Sequence, residues 1–279
     1  MPLTPSPLRY PGGKTKLYDY VLALLESNGL VGGTYIEPFA GGAGLALKLL
    51  QQGKIKRLVI NDIDYAIYCF WYSVLHRSEE MCTFIANVPI TIEEWDAQRD
   101  ILYNKAEYSM IEIAQAVLYL NRTNVSGIIN GGVIGGREQA GKYKMDARFN
   151  RVKLIQKICD IAAVSGKIEL YNMDAIDFLH TELRHYYKAF INFDPPYVAK
   201  GGQLYTNSYT NEDHTALRDA IACCNRKWIV TYDTCALVKD LYSNFRMDYI
   251  DIYYSANKAR RDREFIFYSK SIILPPRIN

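Results

Sequence analysis

The chain has 279 residues, 49% of them hydrophobic, and a formal net charge of +3, which describes one large packed domain or a domain with an insertion. No apolar run nears the ~20 residues that cross a bilayer, and the Met-Pro-Leu-Thr-Pro start lacks the basic opening and apolar core of a signal peptide. A membrane protein is not expected, and a cytoplasmic one is. The six cysteines contain no C-x-x-C pair and the four histidines show no ligand spacing, so we expect free thiols and no metal.

Leu8 to Leu17 reads Leu-Arg-Tyr-Pro-Gly-Gly-Lys-Thr-Lys-Leu. Gly-Lys-Thr invites comparison with a P-loop. Leu8 stands where that motif needs its first glycine, and no strand precedes it, so nucleoside triphosphate hydrolysis is set aside. A Gly-Gly turn beside a cation still suits close approach of an anionic group. Leu17 to Leu25 has helical spacing.

Thr34 to Phe39 reads as the first core strand, Ala40-Gly-Gly-Ala-Gly44 as a loop, and Leu45 to Gln52 as a helix. Strand, glycine loop and helix form the nucleotide-cradling unit of an open α/β sheet, although the spacing is not G-x-G-x-x-G. A second strand, Arg57 to Ile60, ends in Asn61-Asp62. Asp62 lies twenty residues after Gly42, where an acid meets ribose hydroxyls in such folds. It is also placed to cap the helix that begins near Tyr65.

From Tyr65 to Asn121 the strand signals vanish. Helical spacing runs over Ile67–Leu75, Glu79–Asn87, Ile92–Tyr103 and Ile111–Leu120. Gly131, Gly132, Gly135 and Gly136 mark an irregular, mobile loop, and a helix from Asn150 to Ala163 is expected to return the chain to the sheet. Between Arg137 and Lys153 six bases (with Lys142, Lys144, Arg148 and Arg151) face two acids. Lys258, Arg260, Arg261 and Arg263 form a second cluster. Two basic patches on a nearly neutral chain fit a polyanion partner, a flexible clamp on a duplex, or simply solvated faces.

Ile168 to Tyr171 is a third strand. Asp174 follows it, either at the ligand-binding edge of the sheet or as the cap of helix Ala175–Glu182. Lys200 to Asn211 is a polar loop, Asp213–Cys224 a helix and Trp228–Tyr232 a fifth strand. Met247–Tyr254 and Glu264–Tyr268 alternate as two antiparallel strands with the second basic cluster at their tip.

The chemistry concentrates at Phe193-Asp194-Pro195-Pro196-Tyr197. Two prolines cannot donate backbone hydrogen bonds and have fixed φ, so the strand from Ala189 stops at Asp194. The Asp194 carboxylate and the Pro195 carbonyl become a rigid acceptor pair beside the flat ring of Tyr197. The exocyclic amine of a nucleobase is a poor nucleophile, because its lone pair is delocalised into the ring. Two acceptors aimed at its hydrogens localise that pair for in-line attack. A base must leave its helix to reach such a pocket, and an aromatic face would hold it there.

With Leu-Arg-Tyr-Pro-Gly-Gly-Lys, Tyr-Ile-Glu-Pro-Phe-Ala-Gly-Gly-Ala-Gly, Ile-Asn-Asp-Ile-Asp, Tyr-Leu-Asn-Arg and Phe-Asp-Pro-Pro-Tyr in this order, the chain resembles the Dam family of DNA adenine-N6 methyltransferases (D12 class, alpha group) from about Leu8 to Tyr268. The resemblance implies an α/β, Rossmann-like, S-adenosylmethionine-dependent methyltransferase fold with a seven-stranded sheet. Residues 1–65 and 150–279 would be catalytic, and 66–149 a helical target-recognition insertion. Tyr10 and Lys14 would lie near cofactor and target. Glu37, Phe39, Ala40, Gly41, Gly42 and Gly44 would cradle the methionine part, Asp62 the ribose and Asp174 the adenine amine. Asp194 and Pro195, fixed by Pro196, would accept from the target amine and Tyr197 would stack on the flipped adenine. Asp194 also borders the cofactor.

Double-stranded DNA would meet Arg122, Asn124, Ser126, Asn130, Arg137, Lys142, Tyr143, Lys144 and Arg148 on the insertion, and Lys258, Arg260 and Arg261 at the hairpin. A monomer is expected, with a cognate restriction endonuclease as a further partner. GATC-specific members carry aromatic, asparagine and arginine residues just after Asn-Arg and a Gly-Arg-Tyr tract later; the equivalents here look like Val125, Ser126 and Asn130, then Gly141–Lys144, so no target sequence follows. The competing readings are methylation of another sp² nitrogen, in RNA or a protein glutamine, and a sensor of S-adenosylmethionine or DNA without turnover. Asp rather than Asn at 194, the helical insertion, and the complete Asp-Pro-Pro-Tyr element speak against them.

Overall fold

The apolar runs become five parallel strands: β1 (Thr34–Glu37), β2 (Arg57–Asn61), β3 (Ile168–Tyr171), β4 (Ala189–Phe193) and β5 (Lys227–Asp233). β6 (Arg246–Tyr254) and β7 (Arg260–Tyr268) complete a seven-stranded sheet in the order β3-β2-β1-β4-β5-β7-β6. β7 runs antiparallel to both β5 and β6. In this computed structural model residues 4–10, 13–198, 209–254 and 260–276 are described, and side chains at 252–262 are not among the described ones. β1 stops at Glu37, two residues before the Phe39 expected, because Pro38 has no N–H for the ladder. β7 starts four residues before the Glu264 expected, since backbone pairing with β6 continues along the charged run.

The sheet belongs to one compact unit, Lys14–Asp64 with Lys167–Asn279. Its helices are α1 (Tyr18–Ser27), α2 (Gly44–Gln51), α8 (Ala175–Thr181), α9 (Asn211–Ala222) and α10 (Ala236–Leu241). Part of the core lies where Ile36, Val59, Ile191, Phe193, Trp228, Val230 and Phe267 meet Phe178 of α8, Leu217 and Ile221 of α9 and Val238 of α10. β4 is buried at every residue, as a central parallel strand covered on both faces must be.

The other unit, Met1–Gly13 with Tyr65–Gly166, is helical. It contains α3 (Tyr65–His76), α4 (Ser78–Asn87), α5 (Ile92–Tyr103), α6 (Met110–Thr123) and α7 (Arg151–Ala162). α6 starts at a capping box of Ser109 and Glu112 and is buried almost all round, which makes it the central helix of this unit. α3 and α5 pack on it, and α4 packs on α7. The unit boundary expected at residue 150 falls instead after α7. That helix buries Leu154, Ile158 and Ile161, and its Lys157 Nζ donates to the Ser6 carbonyl at 2.9 Å. Arg151 ties its start to α4 through the Val88 carbonyl at 2.6 Å.

Residues 6–9 are strapped to the end of α6. The Asn121 side-chain amide brackets the Arg9 peptide, accepting from its N–H at 2.7 Å and donating to its carbonyl at 2.8 Å. Arg122 Nε donates to the Pro7 carbonyl at 2.7 Å. Gly127 carries φ +78° and lies so close to the strap that a Cβ there would sit 2.5 Å from the Arg9 carbonyl oxygen. Gly127→Ala is therefore expected to lower stability by roughly 2 kcal/mol or more, from both the left-handed backbone and the clash. Chemical denaturation of the variant checks this, and an unchanged midpoint refutes it.

Candidate active site

The parallel strands bring their carboxyl ends to one edge of the sheet. Pro38 follows β1, Asp62 β2, Asp174 β3 and Asp194 β4, and Asp233 closes β5. β7 runs the opposite way and extends past that edge, so it contributes a residue from the middle of its span. Glu264 pairs with Asp233 in register.

Asp194 is held by three donors, all on one oxygen. Lys14 Nζ lies 3.0 Å from Oδ1, the Thr231 hydroxyl donates to it at 2.9 Å and the Tyr197 hydroxyl at 3.1 Å. Among the described residues no donor reaches Oδ2 or the Pro195 carbonyl. Lys14, which heads a short 3₁₀ turn (Lys14–Leu17), is 6% exposed. It also donates to the Tyr197 hydroxyl at 2.5 Å and lies 3.1 Å from Glu264 Oε2. Burial opposes its charge, but Asp194 and Glu264 outweigh burial and hold the ammonium above its usual pKa. Lys14 thus sits with Asp194 and Tyr197, and the buried ion pairs use the side chain that a P-loop would aim at phosphate. Glu264 was not singled out from the sequence. Its only signal there is one acid opening the apolar run Phe265–Tyr268.

Tyr197 is also differently placed from the expectation. It is 5% exposed, its ring 6.3 Å from that of Tyr232 and 5.1 Å from the Lys14 ammonium. Little of this ring is exposed, so a base could stack on it only once it is uncovered. Its hydroxyl instead anchors Asp194.

The glycine loop turns sharply: Gly41 has φ 42° and Ala43, the N-cap of α2, φ 45°. Asp62 clasps this loop, Oδ2 accepting from the Gly41 N–H at 2.8 Å and Oδ1 from the Asp64 N–H at 3.0 Å. Burial pushes its carboxyl up to about 7, against the lowering effect of those two amides. Asp62 is therefore bonded to the Gly41 and Asp64 amides rather than to the first turn of α3. Asp174 does cap α8, Oδ1 accepting from the Ile176 N–H at 2.8 Å and the Asp177 N–H at 3.4 Å. Oδ2 takes no part in that cap.

Phe39 meets Tyr209 edge to face at 6.2 Å. Asp174 and Asp62 both act electrostatically on the buried Tyr209 phenol, which burial first of all raises above its usual pKa. Phe39, Asp62, Asp174 and Tyr209 therefore share one neighbourhood. Tyr209 belongs to the loop expected over 200–211, of which 199–208 lie outside the described residues.

Glu37 is buried beneath this edge at 6% exposure. Its Oε1 accepts from the Asn192 amide at 3.3 Å. Burial raises its carboxyl to about 8, with Asp194 adding to the effect and Asn192 opposing it.

The residues expected to meet DNA divide into two kinds. Asn124 is fully buried and committed to the protein: it accepts from Trp95 Nε1 at 2.6 Å and donates to the carbonyls of Ile128 at 3.0 Å and Ile129 at 2.8 Å. It leaves no donor for a base, and its role is to shape the loop. Arg122 is spent in part on Pro7, and burial, with Arg9 and Arg148, lowers its pKa to about 9. Arg137 is exposed but forms a bidentate pair with Asp96 at 2.8 and 2.7 Å. Ser126 takes φ 59° in a tight turn.

Asn130, Lys142, Tyr143, Lys144 and Arg148 are exposed at the surface. The loop expected to be mobile is pinned: Val125 N–H donates to Gly132 O at 2.9 Å, Ile134 N–H to Thr123 O at 2.8 Å, and Gln139 bonds the Ile134 carbonyl and the Met145 N–H. Tyr10 is half-buried and belongs to the helical unit, its carbonyl accepting from Gly13 N–H at 3.1 Å. Lys258 lies outside the described residues, as do the side chains of Arg260 and Arg261.

Seven strands in this order, with a single reversed strand between two others, a glycine loop after β1 and acids at the carboxyl edge define a Rossmann-like methyltransferase fold. Within that class the chain belongs to the D12 class N6 adenine-specific DNA methyltransferase family, which it matches over residues 10–255. It is 22% identical over 222 residues to Type II methyltransferase M.MjaIII of Methanocaldococcus jannaschii, across 74% of this chain and 73% of that one. It is 22% identical over 262 residues to Type II methyltransferase M1.LlaDCHI of Lactococcus lactis subsp. cremoris, across 87% of this chain and 86% of that one. TrmN of Thermus thermophilus, among solved structures, is 11% identical with a TM-score of 0.40, over 91% of this chain and 48% of its own, and a likeness that slight bears on neither fold nor function.

Glu37 binds its proton more tightly folded, at about 8, than at its ordinary 4.5. Its contribution to stability is therefore complete below the ordinary value and is lost as pH rises toward about 8. Glu37→Gln, which keeps an acceptor for Asn192, is expected to flatten the fall in stability over that window. Thermal unfolding at several pH values checks it, and an unchanged slope contradicts the assignment.

Proposed function

We propose that this enzyme transfers the methyl group of S-adenosylmethionine to the N6 amine of an adenine flipped out of a short sequence in double-stranded DNA. The observation that carries this is the polarity of Asp194. Three donors saturate Oδ1, while Oδ2 and the Pro195 carbonyl have no donor among the described residues. Two acceptors at the end of one rigid strand match the two hydrogens of an exocyclic amine. Such an amine is engaged in pairing inside a duplex, so the base must leave the stack.

The cofactor fits the neighbouring residues on their own chemistry. Asp62 uses one lone pair of each oxygen on backbone amides and retains the others for ribose hydroxyls. Asp174 retains Oδ2 for an adenine amine. Phe39 and Tyr209 supply aromatic surface, and the tight turn of Ala40, Gly41, Gly42, Ala43 and Gly44 permits close approach to the methionine part. Bound there, S-adenosylmethionine supplies an electrophilic methyl group on a sulfonium.

The protein's part is positioning and electrostatics. Oδ2 and the Pro195 carbonyl accept from the amine and localise its lone pair. The bound cofactor would supply the methyl group to this nitrogen and depart as a neutral thioether. The nitrogen then sheds one proton, which Oδ2 accepts and passes to water. Lys14, Thr231 and Tyr197 keep the carboxylate in place throughout. Tyr197 is read as an anchor; stacking on the base would require its ring to be uncovered.

On the helical unit, the exposed Asn130, Lys142, Tyr143, Lys144 and Arg148 are proposed to meet the duplex, and Lys258, Arg260 and Arg261 to do so from the hairpin. Phosphate contacts of this kind position a protein, while base-edge contacts specify the sequence. The type II names of the relatives support a restriction-modification setting with a cognate endonuclease. We propose a monomer acting alone on DNA.

Asp194→Ala is expected to reduce methyl transfer to DNA by roughly a thousandfold or more, with cofactor affinity by calorimetry within a few-fold. Transfer at the parent rate would overturn the mechanism. With 2-aminopurine in place of the target adenine, fluorescence is expected to rise on binding, and no rise would remove base flipping from it.

A further inference from the structure

Glu264 has no place in the motif that carries the chemistry, yet the structure brings it into the same cluster. It is 1% exposed and 3.1 Å from Lys14 Nζ. Lys14 Nζ in turn is 3.0 Å from Asp194 Oδ1 and 2.5 Å from the Tyr197 hydroxyl. A buried ammonium beside a single carboxylate closes into a neutral pair, which draws the carboxylate onto the cation and weakens it as an acceptor. Two carboxylates on one ammonium leave the triad with a net negative charge, and the ammonium shared between them. The carboxylate that faces the open side keeps its acceptor strength. The register supports this division: β7 holds Glu264 on the sheet, opposite Asp233, which accepts from the Val198 N–H at 3.2 Å just beyond the catalytic motif. From β1 Glu37 is electrostatically coupled to both Lys14 and Asp194, and burial raises its carboxyl to about 8.

We infer that Glu264 is a positioning residue for methyl transfer, holding Lys14 between itself and Asp194 so that the Asp194 carboxylate stays fixed and negative. This rests on the proposed role of Asp194. Glu264 acts through Lys14 and touches neither substrate.

Glu264→Gln removes the charge and keeps the shape. The single-turnover rate of methyl transfer, with cofactor and DNA both saturating, is expected to fall by roughly 10- to 100-fold. The Kd values for cofactor and DNA are expected to stay within about threefold. Glu264→Asp, which restores the charge one methylene short, is expected to recover part of the rate. In a Lys14→Met background the Glu264→Gln change is expected to cost no further rate, because the residue through which it acts is gone. A parent rate in Glu264→Gln, or a loss that persists undiminished in the Lys14→Met background, would overturn the inference. If Glu264→Gln does not fold, Lys14→Met is compared with Lys14→Met/Glu264→Met, which replaces the whole ion pair by apolar side chains. Equal rates support the inference, and a slower double variant refutes it. Asp194→Ala separates the two levels: an inactive Asp194→Ala beside a fully active Glu264→Gln sinks only this inference, whereas an active Asp194→Ala sinks the reading beneath it.

Discussion

A buried ammonium shared by two carboxylates is the constraint around which the sheet unit is arranged. Lys14 is buried at 6% exposure with Asp194 and Glu264 both within about 3 Å of it. Removing Lys14 would leave two like charges side by side in a low dielectric, which costs several kcal/mol. The three residues come from the start of the unit, the end of β4 and the middle of β7. One ion cluster therefore ties together segments about 250 residues apart, at the edge where the methyl-transfer motif lies. The contacts to Asp194 all fall on its Oδ1, and no donor among the described residues reaches Oδ2.

The acids along that edge have structural duties of their own. Asp62 fastens the glycine loop to the end of β2, and Asp174 starts α8. A carboxylate has about four acceptor positions, so one that spends two on backbone amides still has two for a ligand. Capping and ligand binding are therefore compatible in a single residue. Glu37, one strand from Asp194, contributes differently. Its carboxyl holds a proton up to about pH 8, so it adds no second negative charge beneath Asp194 at neutral pH.

In the helical unit the polar residues at the end of α6 perform a related task without charge. Asn121 and Asn124 are buried, and every polar atom of their side chains has a partner. They fix the strap at residues 6–9 and the loop that follows α6. A loop rich in glycine is thereby held in one conformation, because its hydrogen bonds are made to a rigid helix end and to Gln139 rather than to water. Arg137 serves the same purpose through Asp96. Basic side chains count as a polyanion surface only after those engaged within the protein have been set apart.

By itself the sequence determined the elements, the glycine loop and the end of β4 at Asp194. Those signals are local: apolar periodicity, a proline pair that stops β4, glycines where the chain turns sharply. Its ordered motifs also carried the family and its chemistry. Tertiary structure decided which distant side chains meet. Lys14 could be placed near the site from its motif, but its partners depend on the reversed direction of β7, which puts Glu264 at an edge otherwise formed by strand ends. Likewise, nothing local distinguishes an asparagine that reads DNA from one that shapes a loop. Asn124 became the second kind because Trp95, twenty-nine residues earlier, packs its ring nitrogen against it. The unit boundary moved past α7 for the same reason: periodicity predicts that a helix has an apolar face, and only packing shows what that face is buried against.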